Sequence, residues 1–187
     1  MRYFLKDIGI IGHAIVQDCK RFENYNGLKS IVKRFIMYPQ FRILCLYRLL
    51  NVTGWGGYLL FRYRRLCYKY QIEIPVSVKI GEGLSIPHGG PIVVNQNAVI
   101  GKQCSLYPCT LIGGVRGKGV PIIGDNVFIE HGAKVLGNIH IADFTFICPN
   151  TVVVKDTEEG VTVTGIPARI LDRDGLEHVK RQTGTLK

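Results

Sequence analysis

Aliphatic residues recur at every sixth position through most of the chain beyond residue 72. The series has one two-residue slip and one interruption at 113–122, and its members are Ile74, Ile80, Ile86, Val94, Ile100, Leu106, Ile112, Ile123, Ile129, Val135, Ile141, Ile147 and Val153. An α-helix with 3.6 residues per turn cannot keep one face apolar at a step of six, and hairpins do not repeat so regularly. With Gly, Asp and Asn between the aliphatic positions, the pattern predicts a mainly β fold in which short strands coil into a three-sided prism.

The same periodicity divides the chain. Residues 1–70 follow a helical pattern with few Gly or Pro, and the six-residue step begins just beyond them. The predicted organisation is an N-terminal α-helical segment (1–70), a β-helix domain (71–171) and a C-terminal tail (172–187). Apolar residues make up 47% of the chain, which is enough to form a core.

A net charge of +10 indicates anionic partners, such as a phosphorylated cofactor or an acidic membrane surface. We expect no nucleic acid partner, because zinc-finger spacing and aromatic RNA-binding motifs are missing. The six cysteines include no CxxC pair, so we interpret them as small buried residues in a reducing compartment. The N-terminus lacks the apolar core and cleavage site of a signal peptide, which predicts a cytoplasmic location.

Residues 41–70 mix Leu, Tyr, Phe and Trp55 with six Arg or Lys residues. The stretch is too charged, and too often broken by glycine, to span a bilayer. It predicts two short helices whose apolar faces pack on the first coils or on a neighbouring subunit. Peripheral contact with the cytoplasmic membrane face is the alternative, because aromatic and arginine side chains suit a lipid headgroup region, and the two interpretations are compatible.

His88 stands in the run GLSIPHGGPIVV, where an imidazole followed by two glycines has no packing use in a buried strand. Two interpretations are open from the residues alone. His88 is either an exposed corner residue of the prism or a base, because a neutral imidazole titrates near physiological pH and accepts a proton.

Several stretches carry a resemblance to a known family. They are IEIPVSVKIGEGLSIPHGGPIVV, AVIGKQCSLYPCTLIGG, GAKVLGNI and VTGIPARIL, with QDCKRF and YPQFRILCLYRLL nearer the N-terminus. Through them nearly the whole chain resembles hexapeptide acyltransferases with a left-handed β-helix, most closely the serine acetyltransferase branch. The resemblance implies a homotrimer, with each active site between two prisms and acetyl-CoA as the acyl donor.

The resemblance also implies roles for individual residues. His88 would be the general base that takes the proton from an acceptor hydroxyl as its oxygen attacks the thioester. Glu73, fifteen residues earlier, would orient the ring in place of the family's usual aspartate. A main-chain N–H of Gly113 or Gly114 would stabilise the tetrahedral oxyanion. The alternatives are a solvated Glu73 at the entry to the prism and an ordinary loop insertion.

The resemblance implies that the donor lies along the coils, with its phosphates near the last turns. Lys134 and Lys155 either contact the phosphates or are solvated corner residues. Arg169 belongs to the matching GIPAR segment and is expected to be the phosphate partner. The residues expected to contact acetyl-CoA are Gly113, Gly114, Val115, His131, Lys134, Pro149, Lys155, Gly165 and Arg169.

The chain departs from its relatives in the loop that interrupts the repeat. Serine acetyltransferases carry an Arg-His-Pro sequence at the end of this loop, whereas Gly119 and Val120 precede Pro121 here. A second histidine and a carboxylate-binding cation are therefore missing at these positions. We expect an O-acetyltransferase that acts on a sugar hydroxyl of a cell-surface polysaccharide, such as capsule, O-antigen or exopolysaccharide. Serine O-acetylation is the alternative, and a non-catalytic β-helix scaffold is the third.

His88, His131 and His140 also raise the question of a zinc site, because gamma-class carbonic anhydrases share this fold and bind zinc through three imidazoles. The spacing of these histidines does not match that family, and the acyltransferase motifs account for more of the chain. We therefore expect no metal.

Overall fold

The computed structural model of the protein describes residues 2–22, 24–53, 56–115 and 119–183. In these ranges four helices come first: α1 (Arg2–Lys20), α2 (Gly27–Met37), α3 (Pro39–Thr53) and α4 (Tyr58–Tyr70). Short strands come next, and α5 (Gly175–Thr183) lies within the stretch predicted as a C-terminal tail. None of the helices in the described ranges combines the length and apolarity needed to cross a bilayer.

The strands form the three faces of a coiled prism. The first face contains β1 (Ile72–Glu73), β3 (Ile92–Val94), β6 (Thr110–Gly113), β9 (Lys134–Leu136) and β12 (Val152–Val153). The second face contains β2 (Lys79–Ile80), β4 (Val99–Ile100), β7 (Ile122–Ile123) and β10 (His140–Ile141). The third face contains β5 (Ser105–Leu106), β8 (Phe128–Ile129), β11 (Phe146–Ile147), β13 (Thr162–Thr164) and β14 (Arg169–Asp172). Neighbouring strands pair in parallel, except that β14 pairs antiparallel with β13.

The predicted six-residue series forms the core of the prism. Twelve of its 13 members are buried and Ile80 is half-buried. Strand register explains the step, because each coil places its aliphatic residue directly on that of the coil before: Ile100 pairs with Ile123, and Leu106 with Ile129. The fold predicted from the periodicity, a β-helix preceded by a helical segment, is confirmed.

The apolar sides of α3 and α4 pack on the first coil. Tyr47 of α3 donates a hydrogen bond to the main-chain carbonyl of Val78, and Tyr63 of α4 donates one to that of Ile74. Leu50 belongs to the same buried cluster as the residues of the first coil. Packing on the β-helix, one of the two interpretations of the stretch 41–70, therefore accounts for the buried apolar residues of these helices, whereas Tyr58, Phe61 and Tyr68 of α4 are exposed.

A buried ion pair joins the helical segment to the prism. Arg48 of α3 donates two hydrogen bonds to the carboxylate of Asp18 in α1, at 2.9 and 3.0 Å. The carboxylate also accepts the main-chain N–H groups of 83–84, and the guanidinium also donates to the main-chain carbonyls of 80–81. The two side chains are 1% and 8% exposed. This network fixes α1 and α3 to the turn of the first coil between its second and third faces.

Burial distinguishes the cysteines chemically. Desolvation raises the pKa of the Cys45 and Cys104 thiols to about 12 and that of Cys67 to about 11, whereas Cys109 is exposed. At about pH 8, iodoacetamide should alkylate Cys109 in the native protein and spare Cys45 and Cys104, since only about one such buried thiol in 10⁴ is ionised. Peptide mass spectrometry before and after unfolding in urea measures this difference. Equal rates at Cys104 and Cys109 in the native protein would contradict it.

Candidate active site

The edge between the third and first faces carries the predicted base. On each coil the chain leaves the third face, turns and enters the first face, so residues in this turn stack from coil to coil. Parallel strands lie about 4.8 Å apart, which brings side chains of neighbouring turns into contact. We call this line of turns the His88 edge, and it contains His88, Tyr107, His131, Pro149 and Gly165.

Three rings lie together on the His88 edge. The ring centroids of His88 and Tyr107 are 6.4 Å apart, those of His88 and His131 are 6.1 Å apart, and those of Tyr107 and His131 are 4.8 Å apart. His88 is exposed, so its imidazole is accessible to a molecule bound beside the edge. An accessible imidazole beside two other rings can act chemically as a proton acceptor.

A buried carboxylate supports one of these rings. Oε2 of Glu130 lies 3.2 Å from Nδ1 of His131, and the Glu130 side chain is largely buried. This contact occupies Nδ1, so Nε2 is the ring nitrogen of His131 available to a ligand. Desolvation, followed by the charge of Glu130, raises the pKa of the Tyr107 phenol, which therefore remains a neutral hydroxyl beside the two imidazoles.

Glu73, the predicted partner of His88, lies in β1 and is exposed on the first face. In the described part of the chain, no hydrogen bond or ion pair joins its carboxylate to His88. The imidazole–carboxylate contact on the His88 edge is made instead by His131 and Glu130. The orientation of His88 by Glu73 stays a prediction.

The loop that interrupts the repeat leaves the prism at the opposite edge of the first face. Gly113 ends β6, and its carbonyl accepts the N–H of Gly137 at 3.0 Å. A Cβ atom on Gly114 would lie only 2.7 Å from the carbonyl oxygen of Gly119, so the close approach of these two backbone segments requires glycine. Val115 is exposed and pairs with Gly119 across the base of the loop. Within one chain, the predicted oxyanion donors are thus separated from His88 by the width of a face.

The other residues predicted to contact the donor fall into different parts of the prism. Pro149 and Gly165 lie on the His88 edge, and Lys134, in β9 of the first face, donates a hydrogen bond to the main-chain carbonyl of Gly132 at 2.9 Å. Lys155 and Arg169 come together at the last coil, where they line a shallow cavity of about 340 Å³. The carboxylates of residues 156 and 158 line the same cavity, which reduces its positive charge.

The three histidines considered for zinc are not brought together. His88 and His131 share the His88 edge, whereas His140 lies in β10 on the second face. Among the residues that the structure describes, no group of three His, Cys, Asp or Glu side chains is arranged to hold a metal ion.

Tyr107 and Glu130 were missed by the sequence analysis, although the register contains a pattern that could have found them. His88 and His131 each lie two positions after an inward aliphatic residue of the third face, and Tyr107 and Glu130 each lie one position after one. Residues at these two positions of successive coils meet at the same edge. Counting from the aliphatic series would therefore have placed all four together.

Comparison with known proteins agrees with the fold. Residues 121–155 match the bacterial transferase hexapeptide family (six repeats). A serine acetyltransferase from Staphylococcus aureus (strain Mu50) is 44% identical over 108 residues, which cover 56% of this chain and 51% of that protein. The chain spans about half the length of the curated relatives that it matches.

Two solved structures extend the likeness to the helical segment. Neisseria gonorrhoeae serine acetyltransferase superposes with a TM-score of 0.75 at 26% identity, covering 88% of this chain and 67% of that one. A serine acetyltransferase in complex with CoA superposes with a TM-score of 0.72 at 25% identity, covering 86% and 69%. The matched residues show a hexapeptide repeat, and the fold is the one that these acetyltransferases share. The proteins that this chain resembles are serine acetyltransferases.

The expectation of a polysaccharide sugar as acceptor is wrong, because the relatives and solved structures similar to this chain are serine acetyltransferases. That expectation rested on the uncharged residues Gly119 and Val120 together with the basic, aromatic N-terminal half. A missing cation at one position does not define the acceptor, since Arg116 and Lys118 carry positive charge in the same loop.

Proposed function

We propose that this protein is an acetyl-CoA-dependent O-acetyltransferase and that its acceptor is the hydroxyl group of serine. The observation that carries the proposal is the exposed His88 on an edge of the prism, in a chain that is 44% identical over 108 residues to a serine acetyltransferase. A solved relative with CoA bound supports acetyl-CoA as the donor.

In the proposed reaction, the serine oxygen attacks the carbonyl carbon of the thioester while His88 accepts the hydroxyl proton. A C–O bond forms, and the carbonyl oxygen of the tetrahedral intermediate carries the negative charge. Collapse of the intermediate breaks the C–S bond, and the CoA thiolate takes the proton from the imidazolium of His88. The products are O-acetylserine and CoA, and the neutral base is regenerated.

The predicted oxyanion donors do not lie on the His88 edge of the same chain. The backbone around Gly113 and Gly114 lies at the opposite edge of the first face, so we propose a homotrimer in which a neighbouring subunit brings this backbone opposite His88. Exposed aliphatic side chains support such packing, because they surround the first face and its loop edge: Val93, Val115, Ile122 and Val154.

The acceptor is tested by measuring CoA thiol release from acetyl-CoA by the purified full chain. L-serine should support turnover, and L-alanine should not, because it keeps the amine and carboxylate but lacks the hydroxyl. Mass spectrometry should identify O-acetylserine as the product. Release that does not depend on L-serine, or equal release with L-alanine, would overturn the proposal.

A further inference from the structure

Helix α2 carries the apolar stripe on which this inference rests. Leu28, Val32, Phe35 and Ile36 are 74%, 50%, 41% and 64% exposed. Their spacing of four, three and one places them on one side of the helix, within an arc of about 100°. We call these four residues the α2 stripe. Met37 and Tyr38, at the end of the helix, are also exposed.

The orientation of α2 is the reverse of that of an ordinary surface helix. Its buried residues are Ser30 and Arg34. The Ser30 hydroxyl accepts the N–H of Asn26 at 2.7 Å, while Arg34 donates to the sulfur of Cys19 at 3.2 Å and lies over the ring of Phe22. A surface helix normally turns its apolar side to the core. Ile31 adds one partly buried apolar contact with the cluster of Cys19, Phe41 and Cys45. The other apolar residues of α2, among them those of the α2 stripe, face outward.

Positive charge surrounds the α2 stripe. Lys29 and Lys33 lie directly beside it around the helix. Residues 1–70 contain 13 Lys and Arg but only 3 Asp and Glu, whereas residues 71–187 contain 11 of each kind. The whole net charge of +10 therefore belongs to the segment that carries the stripe, and residues 71–187 have no net charge.

We propose that α2 docks this protein on an anionic lipid surface, with the α2 stripe at the boundary between headgroups and acyl chains and the lysines among the headgroups. An amphipathic helix with aromatic and aliphatic residues on one side and lysines beside them binds such a surface in its plane. A second copy of the chain fits the same face less well, because pairing through α2 would bring two strongly positive segments together.

The proposed membrane contact lies in a different part of the chain from the one that the sequence suggested. The suggested contact was placed in the stretch 41–70, but α3 buries its apolar residues against the first coil. In α4, Tyr58, Phe61 and Tyr68 are exposed as well, but the exposed side made mainly of aliphatic residues lies earlier in the chain, on α2. Docking through α2 is independent of the proposed acetyl transfer, because the residues of the α2 stripe are not among those proposed to bind or react with substrate.

Co-sedimentation of the full chain with lipid vesicles tests the proposal. The protein should bind vesicles of phosphatidylcholine and phosphatidylglycerol, and binding should weaken with added salt and fail on phosphatidylcholine alone. The double variant Val32→Glu/Ile36→Glu should bind these vesicles at least about tenfold more weakly. Leu171→Glu/Leu176→Glu is the matched control, because it places the same charges on exposed apolar positions outside α2 and should leave binding unchanged.

Three outcomes would overturn the proposal: equal binding to both kinds of vesicle, unchanged binding by the stripe variant, or equal loss in the control variant. A fourth outcome that would overturn it is measured by light scattering in solution. A concentration-dependent increase in mass that disappears in Val32→Glu/Ile36→Glu would assign the α2 stripe to self-association instead. Circular dichroism of the variants shows whether each of them is folded.

Discussion

Replacing His88 with alanine should reduce serine-dependent CoA release by about 10²- to 10⁴-fold, which is the range for loss of a general base. The fold should not change, because the His88 side chain is exposed and its contacts within the described ranges are to the rings of Tyr107 and His131. The measurement is kcat/KM for L-serine, with the melting temperature as a check on folding.

The matched control for this experiment is His140→Ala. His140 is also exposed, but it lies in β10 on the second face. Its removal should leave kcat/KM unchanged. Full activity of His88→Ala, or an equal loss in His140→Ala, would contradict the role of His88. A protein that serves only as a scaffold would release no CoA in any of these assays.

Replacing Asp18 with alanine should lower the free energy of unfolding by about 3–5 kcal/mol, the cost of leaving one partner of a buried ion pair alone. The change leaves the Arg48 guanidinium buried beside a cavity, and the main-chain N–H groups of 83–84 lose their acceptor. Burial raises the pKa of Asp18 even though Arg48 opposes the shift. Burying the pair thus has a large desolvation cost. Without the Asp18 charge, the desolvation cost of Arg48 is no longer offset by the attraction between the two side chains.

Urea denaturation followed by circular dichroism measures this loss. Glu158→Ala is the control, because Glu158 pairs with Arg173 at the surface, where the two side chains are 60% and 67% exposed. Such exposed pairs contribute about 0–1 kcal/mol. A destabilisation by Asp18→Ala that is no larger than that of Glu158→Ala would show that the network does not hold the helical segment on the prism.

The sugar acceptor expected from the sequence is contradicted by the similarity of this chain to serine acetyltransferases. The choice of a sugar acceptor depended on two uncharged loop residues and on the basic, aromatic N-terminal half. The loop positions are weak evidence because other side chains of the same loop can supply the charge. The roles of His88 and Glu73 remain predictions. Among the described residues, the carboxylate that contacts an imidazole of the His88 edge is that of Glu130 and not that of Glu73.

The sequence by itself determined the prism. Each short strand contributes one inward aliphatic residue, and the step of six from one strand to the next is visible without any long-range information. The same register carried the shared edge of His88, Tyr107 and His131, but the distances between their rings depend on how the coils stack, which only the tertiary structure shows. The amphipathic pattern of α2 was equally present in the sequence. Only the tertiary structure decided that its polar side would be buried, because that outcome depends on contacts of Arg34 with Cys19 and Phe22 of the preceding segment.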